Sequence, residues 1–143
     1  MNDSEARELT GEPNLVRAGR ALLKFGPAWA VVKKGEHGCL LFGRDAFFST
    51  SAFPVVDVED PTGAGDAFAG GFMGSVARQR RADFGTLQRA VVFGSVMASF
   101  NVESFSLDRL RDLSAGEIKA RWRAFARMGD YDRADAGAIR RAK

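Results

Sequence analysis

Hydrophobic residues recur first with the period of a helix and then with that of a strand. Residues Ser4–Leu9 predict a short helix, and the apolar positions from Leu15 to Leu23 predict a second helix, which Pro13 begins. Short apolar runs between glycines and prolines then predict strands, and the glycine-rich stretch between the first two predicts a hairpin. The predicted strands cover 29–32, 39–42, 47–48 and 55–58.

After Pro61 the pattern is helical. One helix is predicted over 67–80, and a second begins at Asp83 or Thr86 with small and apolar residues on most of its sides, which indicates burial. Ser106 is expected to cap a short helix over 107–113, and Ser114 with Glu117 forms a capping box for a last long helix. This order of helices and strands predicts a layered α/β domain.

Composition supports a folded domain and excludes several classes of protein. The chain has 143 residues, of which 45% are hydrophobic and 27% charged, as in globular proteins. No apolar run approaches the roughly 20 residues that span a bilayer, and the polar, acidic start is not a signal peptide. The single cysteine, Cys39, lies in an apolar run, so we expect a buried thiol and a cytoplasmic protein.

The net charge of +3 arises largely near the C-terminus, where basic residues concentrate from Arg121 onward. Such a tail could bind nucleic acid. The charges alternate with apolar residues at helical spacing, however, which favours a solvated helix face and no nucleic-acid partner. We therefore divide the chain into a domain over 1–128 and a basic helical tail over 129–143.

The segment with the clearest chemistry is the turn Gly63-Ala64-Gly65, which joins a predicted strand to a predicted helix. Glycines allow the backbone to approach a ligand closely. The N-terminus of the following helix presents unpaired N–H groups that bind anions such as phosphate. Asp66 lies in that first turn, where its negative charge could simply stabilise the helix through the helix dipole. An acid beside an anion site could instead accept a proton from an attacking hydroxyl.

Two common glycine-rich loops do not fit these residues. A Walker loop requires a lysine after its last glycine, and Asp66 stands there. A dinucleotide fingerprint requires glycine at position 68, which is Phe68.

The run Asp60-Pro61-Thr62-Gly63-Ala64-Gly65-Asp66 resembles the second signature of the ribokinase-like (PfkB) family of sugar and nucleoside kinases. The resemblance implies the nucleotide-binding second half of a three-layer α/β/α fold, with a small sheet and flanking helices. It also implies ATP-dependent phosphoryl transfer to a hydroxyl of a sugar or nucleoside. Gly63, Ala64 and Gly65 would form the anion hole, and Asp66 would be the catalytic base.

Other segments resemble the same family in the same order. Asn2-Asp3-Ser4-Glu5 is similar to its Asn-x-x-Glu motif, in which Asn2 and Glu5 would organise Mg²⁺ indirectly, although a helix cap is the alternative. The turn after Val32 is similar to one that meets the nucleotide, with Lys33 contributing its side chain and Gly35 its backbone.

Two further pairs of site residues follow from the resemblance. The run 94–103 is similar to the helix that walls the adenine, so Ser95 and Ser99 would line the nucleotide, with a plain buried helix as the alternative. Asp60 and Thr62 match positions that help to bind a monovalent cation such as K⁺ in some members.

The resemblance covers only the second half of the family pattern, so the acceptor pocket is expected to lie outside this chain. We expect no kinase activity from the chain alone. We also expect a homo-oligomer that buries an exposed seam containing Val31, Val32, Leu41 and Val56. The alternative to a kinase is a truncated, non-catalytic nucleotide-binding or interaction module.

Overall fold

The structure, a computed structural model, describes residues 1–129, so the predicted basic tail lies outside the described residues except for Gly129. Residues 1–129 form six α-helices and one three-stranded sheet. None of these helices is long and apolar enough to cross a membrane. The elements are α1 (Asp3–Thr10), α2 (Leu15–Leu22), β1 (Trp29–Lys33), β2 (Cys39–Gly43), β3 (Phe47–Thr50), α3 (Ala64–Gln79), α4 (Phe84–Asn101), α5 (Asp108–Arg111) and α6 (Ala115–Met128).

The sheet is antiparallel in the order β1-β2-β3, which confirms the predicted hairpin. The turn between β1 and β2 ends at Gly38, whose φ is +87°. A Cβ at this position would stand 2.0 Å from the carbonyl oxygen of Thr50, where the chain leaves β3. Only glycine therefore lets the hairpin turn pass under the end of the third strand.

Helices cover both faces of the sheet, because alternate residues of its strands point to opposite sides. One face packs on α1 and α2, and the other packs on α3 and α4. The first core cluster contains Ala6, Ala18, Leu22, Val32, Leu40 and Phe42. The second contains Cys39, Leu41, Phe68, Leu87 and Val91, with Val31 partly buried against it. The observed layering is thus helices, sheet and helices, as the resemblance implied.

Burial contradicts most of the predicted seam. Val32 and Leu41 are 0% exposed, each inside one of the two core clusters. Val31 is half-buried. Val56 is 95% exposed, so it alone of the four residues lies open. The prediction was wrong because it took strand residues as facing an uncovered side, whereas helices of this same chain cover both sides.

The predicted strand over 55–58 does not form, and residues 51–62 run as an irregular segment. Its backbone contacts are instead to the end of α4, where the N–H of Glu59 donates to the carbonyl of Val102 at 2.8 Å. Apolar residues alone do not make a strand when no neighbouring strand is present to receive its hydrogen bonds.

The helix ends confirm some predictions and correct others. Ser114 and Glu117 form the predicted capping box of α6, and the Ser114 hydroxyl, together with Arg109, lowers the pKa of Glu117 to about 2. Asp83 caps α4 as expected. Ser106 caps nothing, because its φ is +57°, and α5 starts after Leu107 without a side-chain cap.

The last helix, α6, is anchored to α4 by a third core cluster. Phe125 of α6 is buried against Val96 and Phe100 of α4. The guanidinium of Arg121 stacks on the Phe100 ring, 3.5 Å from its centroid, and pairs with Glu103. Apolar burial and a cation–π contact therefore hold α6 in place.

Candidate functional site

The N-terminus of α3 presents free backbone amides. Gly63 caps the helix with φ +82°. The N–H of Ala64 donates to the Pro61 carbonyl at 3.2 Å, and that of Asp66 donates to the Gly63 carbonyl at 3.0 Å. Within residues 1–129, the N–H groups of Gly63 and Gly65 donate to no other group. Two free donors at the positive end of a 16-residue helix are groups that are able to bind an anion.

Lys33, at the end of β1, brings a positive charge to residues 60–65, which we call the loop. Its Nζ donates to the carbonyl oxygen of Gly65 at 3.3 Å, although the two residues are 32 positions apart. A Cβ on Gly65 would lie only 2.8 Å from that Nζ. The side chain of Lys33 is half-buried, so its charge is held beside the free amides.

Asp66 is the third residue of α3 and is exposed. In the part of the chain that the structure describes, its carboxylate makes no hydrogen bond or ion pair. The position matches that of a first-turn acid, which the helix dipole favours. Because no described protein group forms a hydrogen bond with the carboxylate, its oxygens are also available to accept a proton from a bound ligand.

Asn2 and Glu5 cap α1 reciprocally. The Asn2 Oδ1 accepts the Glu5 N–H at 2.8 Å, and the Glu5 Oε2 accepts the Asn2 N–H at 2.7 Å. The helix-cap alternative is therefore realised. Asn2 also pairs in parallel with Lys33 as an isolated bridge. Through Lys33, the capping box, the end of β1 and the start of α3 meet at one corner of the molecule.

Asp60 and Thr62 form a tight turn at the start of the loop. The Asp60 carboxylate accepts the Thr62 N–H at 2.9 Å. This hydrogen bond, with a smaller contribution from the Thr62 hydroxyl, holds the pKa of Asp60 below its usual range. Residues 1–129 contain no cluster of three or more His, Cys, Asp or Glu side chains that could hold a metal ion.

Ser95 and Ser99 lie inside the fold, and their hydrogen bonds are not to the loop. The Ser95 hydroxyl contacts the thiol of Cys39, whose pKa burial raises to about 11. The Ser99 hydroxyl donates to the Val96 carbonyl at 2.7 Å and accepts from Arg121 at 3.2 Å. Gly35, by contrast, is exposed in the turn after β1, with φ +57° and open space around it.

Sequence reasoning missed Asn101, which lies directly under the loop. Its side chain is 1% exposed, and its Nδ2 donates to the Thr62 carbonyl at 2.8 Å. A polar residue within the apolar pattern of α4 was the available signal. The family resemblance implied a nucleotide contact for the serines of the same helix and no role for Asn101.

Residues 1–111 match the sequence profile of the pfkB family carbohydrate kinases. This chain belongs to the pfkB family. This chain is 38% identical over 81 residues to the cytidine kinase of Thermococcus kodakarensis. Those residues are 55% of this chain and 29% of the cytidine kinase.

Two solved structures resemble this pfkB-family chain over most of its length. Aminoimidazole riboside kinase from Salmonella enterica, complexed with aminoimidazole riboside and an ATP analog, matches with a TM-score of 0.74 and 26% identity, over 85% of this chain and 40% of that one. Ribokinase from Thermotoga maritima matches with a TM-score of 0.70 and 27% identity, over the same two shares. The pfkB-family chain thus corresponds to part of a ribokinase-like kinase, 40% of each solved chain and 29% of the curated relative.

Proposed function

We propose that this chain supplies the nucleotide-binding and base-bearing part of an ATP-dependent sugar or nucleoside kinase. One observation carries the proposal: the ammonium of Lys33 contacts Gly65 in the same loop whose Gly63 and Gly65 amides are free, at the N-terminus of α3. We expect the phosphates of ATP, and those that remain in ADP, to lie along this turn, because fixed positive charge and preorganised N–H donors bind phosphate oxygens. The same groups would stabilise the negative charge that grows on the transferred phosphoryl group. Gly63, Ala64 and Gly65 would thus form the anion hole.

Asp66 is the proposed catalytic base. Its exposed carboxylate has no protein partner among the described residues. It would accept the proton of the acceptor hydroxyl while that oxygen forms a bond to the γ-phosphorus of ATP and ADP leaves. The backbone of Gly35 and the side chain of Lys33 would contact the nucleotide. Ser95 and Ser99 stay predicted to line the nucleotide, although their buried hydrogen bonds favour a packing role.

Asn2 and Glu5 suit an indirect role with Mg²⁺. Both are exposed and carry hard oxygen atoms, and only one carboxylate oxygen of Glu5 is used in the capping box. Magnesium keeps several of its waters in protein sites, so these side chains would hold it through water rather than directly. When bound, the ion offsets the negative charge of the phosphates.

Asp60 and Thr62 are the proposed contributors to a monovalent-cation site. The carboxylate of Asp60 is the charged ligand of the pair, and the hydrogen bond from the Thr62 N–H lowers its pKa by favouring the ionised form. The Thr62 carbonyl, next to it in the same turn, has a second lone pair beside the one that accepts from Asn101. A carboxylate and a carbonyl are oxygen ligands suited to K⁺.

Replacing Gly65 by valine tests the anion hole. The new side chain would begin 2.8 Å from the Lys33 Nζ, so it would displace the ammonium and crowd the phosphate. We expect the affinity for ADP with Mg²⁺ to fall roughly tenfold or more, the equivalent of a lost charge-assisted contact. Isothermal titration calorimetry of the 143-residue chain measures this directly.

Gly74→Val is the matched control, since Gly74 lies on the same helix with nothing within 4 Å of an added Cβ. It introduces the same β-branched residue into α3 away from the loop, and we expect ADP affinity close to that of the wild type. Equal affinities for wild type and Gly65→Val would refute a phosphate-binding loop.

A second candidate function is a non-catalytic nucleotide-binding or interaction module. The chain spans only 29% of the cytidine kinase that it resembles. It also exposes an apolar groove beside β1, lined by Leu9, Leu22, Phe25, Trp29 and Val31 among others. A groove of this kind is typical of a surface that contacts another chain.

Self-association and inactivity of the isolated chain are therefore expected together. Sedimentation should show a species larger than a monomer, because association buries apolar surface such as this groove and the 95% exposed Val56. An assay with ATP and a panel of sugars and nucleosides should show no phosphoryl transfer. A stable monomer would contradict the first expectation, and any ATP-dependent product would contradict the second.

A further inference from the structure

Asn101, the last residue of α4, reaches under the loop before α3. The side chain is 1% exposed and crosses 39 positions of sequence to donate from Nδ2 to the Thr62 carbonyl at 2.8 Å. Both polar atoms of its amide lie 3.6 Å from the point where a Cβ on Gly63 would stand. Among the described residues outside the loop, the other side chain that donates a hydrogen bond to it is Lys33, whose Nζ contacts the Gly65 carbonyl.

The Oδ1 of Asn101 is buried and accepts no hydrogen bond from residues 1–129. An unpaired buried acceptor disfavours the folded state, and an apolar residue of the same shape would avoid that cost. Packing alone therefore does not account for an amide at this position. The hydrogen bond that Nδ2 makes is the feature that only the amide provides.

That hydrogen bond sets the direction of an amide in the anion hole. The carbonyl of Thr62 and the N–H of Gly63 belong to one peptide unit, which is planar and trans. In a trans peptide the C=O and the N–H point in opposite directions. When Asn101 holds the Thr62 carbonyl toward the interior, the Gly63 N–H must point outward, to the side where an anion would lie.

We propose that Asn101 is a positioning residue of the anion hole, one that aims the Gly63 N–H by holding the other side of its peptide unit. The inference rests on the proposed phosphate-binding function of the loop. Asn101 itself touches no substrate in this arrangement. It acts by keeping the loop in the binding conformation before the nucleotide arrives, which reduces the ordering that binding requires.

Asn101→Leu tests the proposal, because leucine keeps the size of the side chain and removes the donor. We expect the affinity for ADP with Mg²⁺ to fall roughly tenfold, as for the loss of one well-aimed donor to a charged group. Thr86→Val is the control. Thr86 is also 1% exposed and lies on α4, but about 22 Å away at a rise of 1.5 Å per residue, and its variant should bind ADP as the wild type does.

The comparison with Gly65→Val separates this inference from the function on which it rests. If Gly65→Val weakens ADP binding and Asn101→Leu binds like Thr86→Val, the positioning role is wrong and the proposed function stands. If Gly65→Val and Asn101→Leu both bind ADP as the wild type does, both proposals fail. A loss in Asn101→Leu that Thr86→Val does not share, at equal fractions folded, supports the positioning role.

The wild-type chain gives a readout for the case in which Asn101→Leu does not fold. Hydrogen exchange followed by NMR reports the Gly63 N–H and the Asn101 side-chain amide separately. We expect added ADP with Mg²⁺ to slow exchange at both groups. The phosphate would bind the Gly63 N–H and so strengthen the hydrogen bond from Asn101 to the Thr62 carbonyl of the same peptide unit. Unchanged exchange at both groups in the presence of saturating ADP would overturn the proposal.

Discussion

Asp66→Asn is expected to reduce phosphoryl transfer by roughly 10²–10⁴-fold, the usual contribution of a general base. Asparagine keeps the size of the side chain and removes the proton acceptor, so the loss should appear in kcat. ADP affinity should stay the same or rise slightly, because a negative charge next to the anion site is removed. The assay requires an acceptor site, which a chimera with the upstream part of the Salmonella enterica aminoimidazole riboside kinase can supply.

Asp57→Asn in the same chimera controls for the change of charge. Asp57 is exposed and lies outside the loop, in the irregular segment before it, so its variant should turn over as the unmodified chimera does. Comparable turnover by Asp66→Asn and Asp57→Asn would show that Asp66 only favours the helix dipole. The base would then have to be sought elsewhere.

Gly38→Ala, in the turn between β1 and β2, is expected to cause a large loss of stability. The φ of +87° disfavours any L-residue, and the added Cβ would stand 2.0 Å from a backbone oxygen that no side-chain rotation can move. Left-handed strain and overpacking together give a loss of about 2–5 kcal/mol in the free energy of unfolding. Urea denaturation followed by circular dichroism measures it.

Gly35→Ala separates the two contributions, since Gly35 lies in the same turn with φ +57° and nothing within 4 Å of an added Cβ. This control should lose only the conformational part, about 1–2 kcal/mol. A loss in Gly38→Ala no greater than that in Gly35→Ala would mean that the end of β3 moves aside freely.

The glycine turn and several helix ends could be predicted from the sequence because their causes are local. The Gly-Ala-Gly turn at 63–65 and the capping box of Ser114 and Glu117 depend on residues within a few positions of one another. The contacts that complete the site are not local. Lys33 reaches Gly65 across 32 positions, and Asn101 reaches Thr62 across 39, so only the packing of β1, α3 and α4 shows them.

The wrong predictions share one physical origin, which is that each judged a residue without its neighbours in space. The run 55–58 has the composition of a strand but no partner strand, so it stays irregular. Val32 and Leu41 were assigned to an open seam, yet helices packed on the two faces of the sheet bury them completely. Ser106 has the side chain of a cap and a backbone that is left-handed instead.

The anchoring of α6 extends the packed core beyond the residues that the family profile matches. The match to the family profile ends at residue 111, whereas Phe125 and Arg121 close the cluster around Phe100 from beyond that point. Phe100 directly precedes Asn101, so the same cluster supports the end of the helix from which Asn101 reaches Thr62. A shortened chain that ends at residue 111 would lack Phe125 and Arg121, so it would uncover the ring of Phe100 in the helix that supports the proposed phosphate-binding loop.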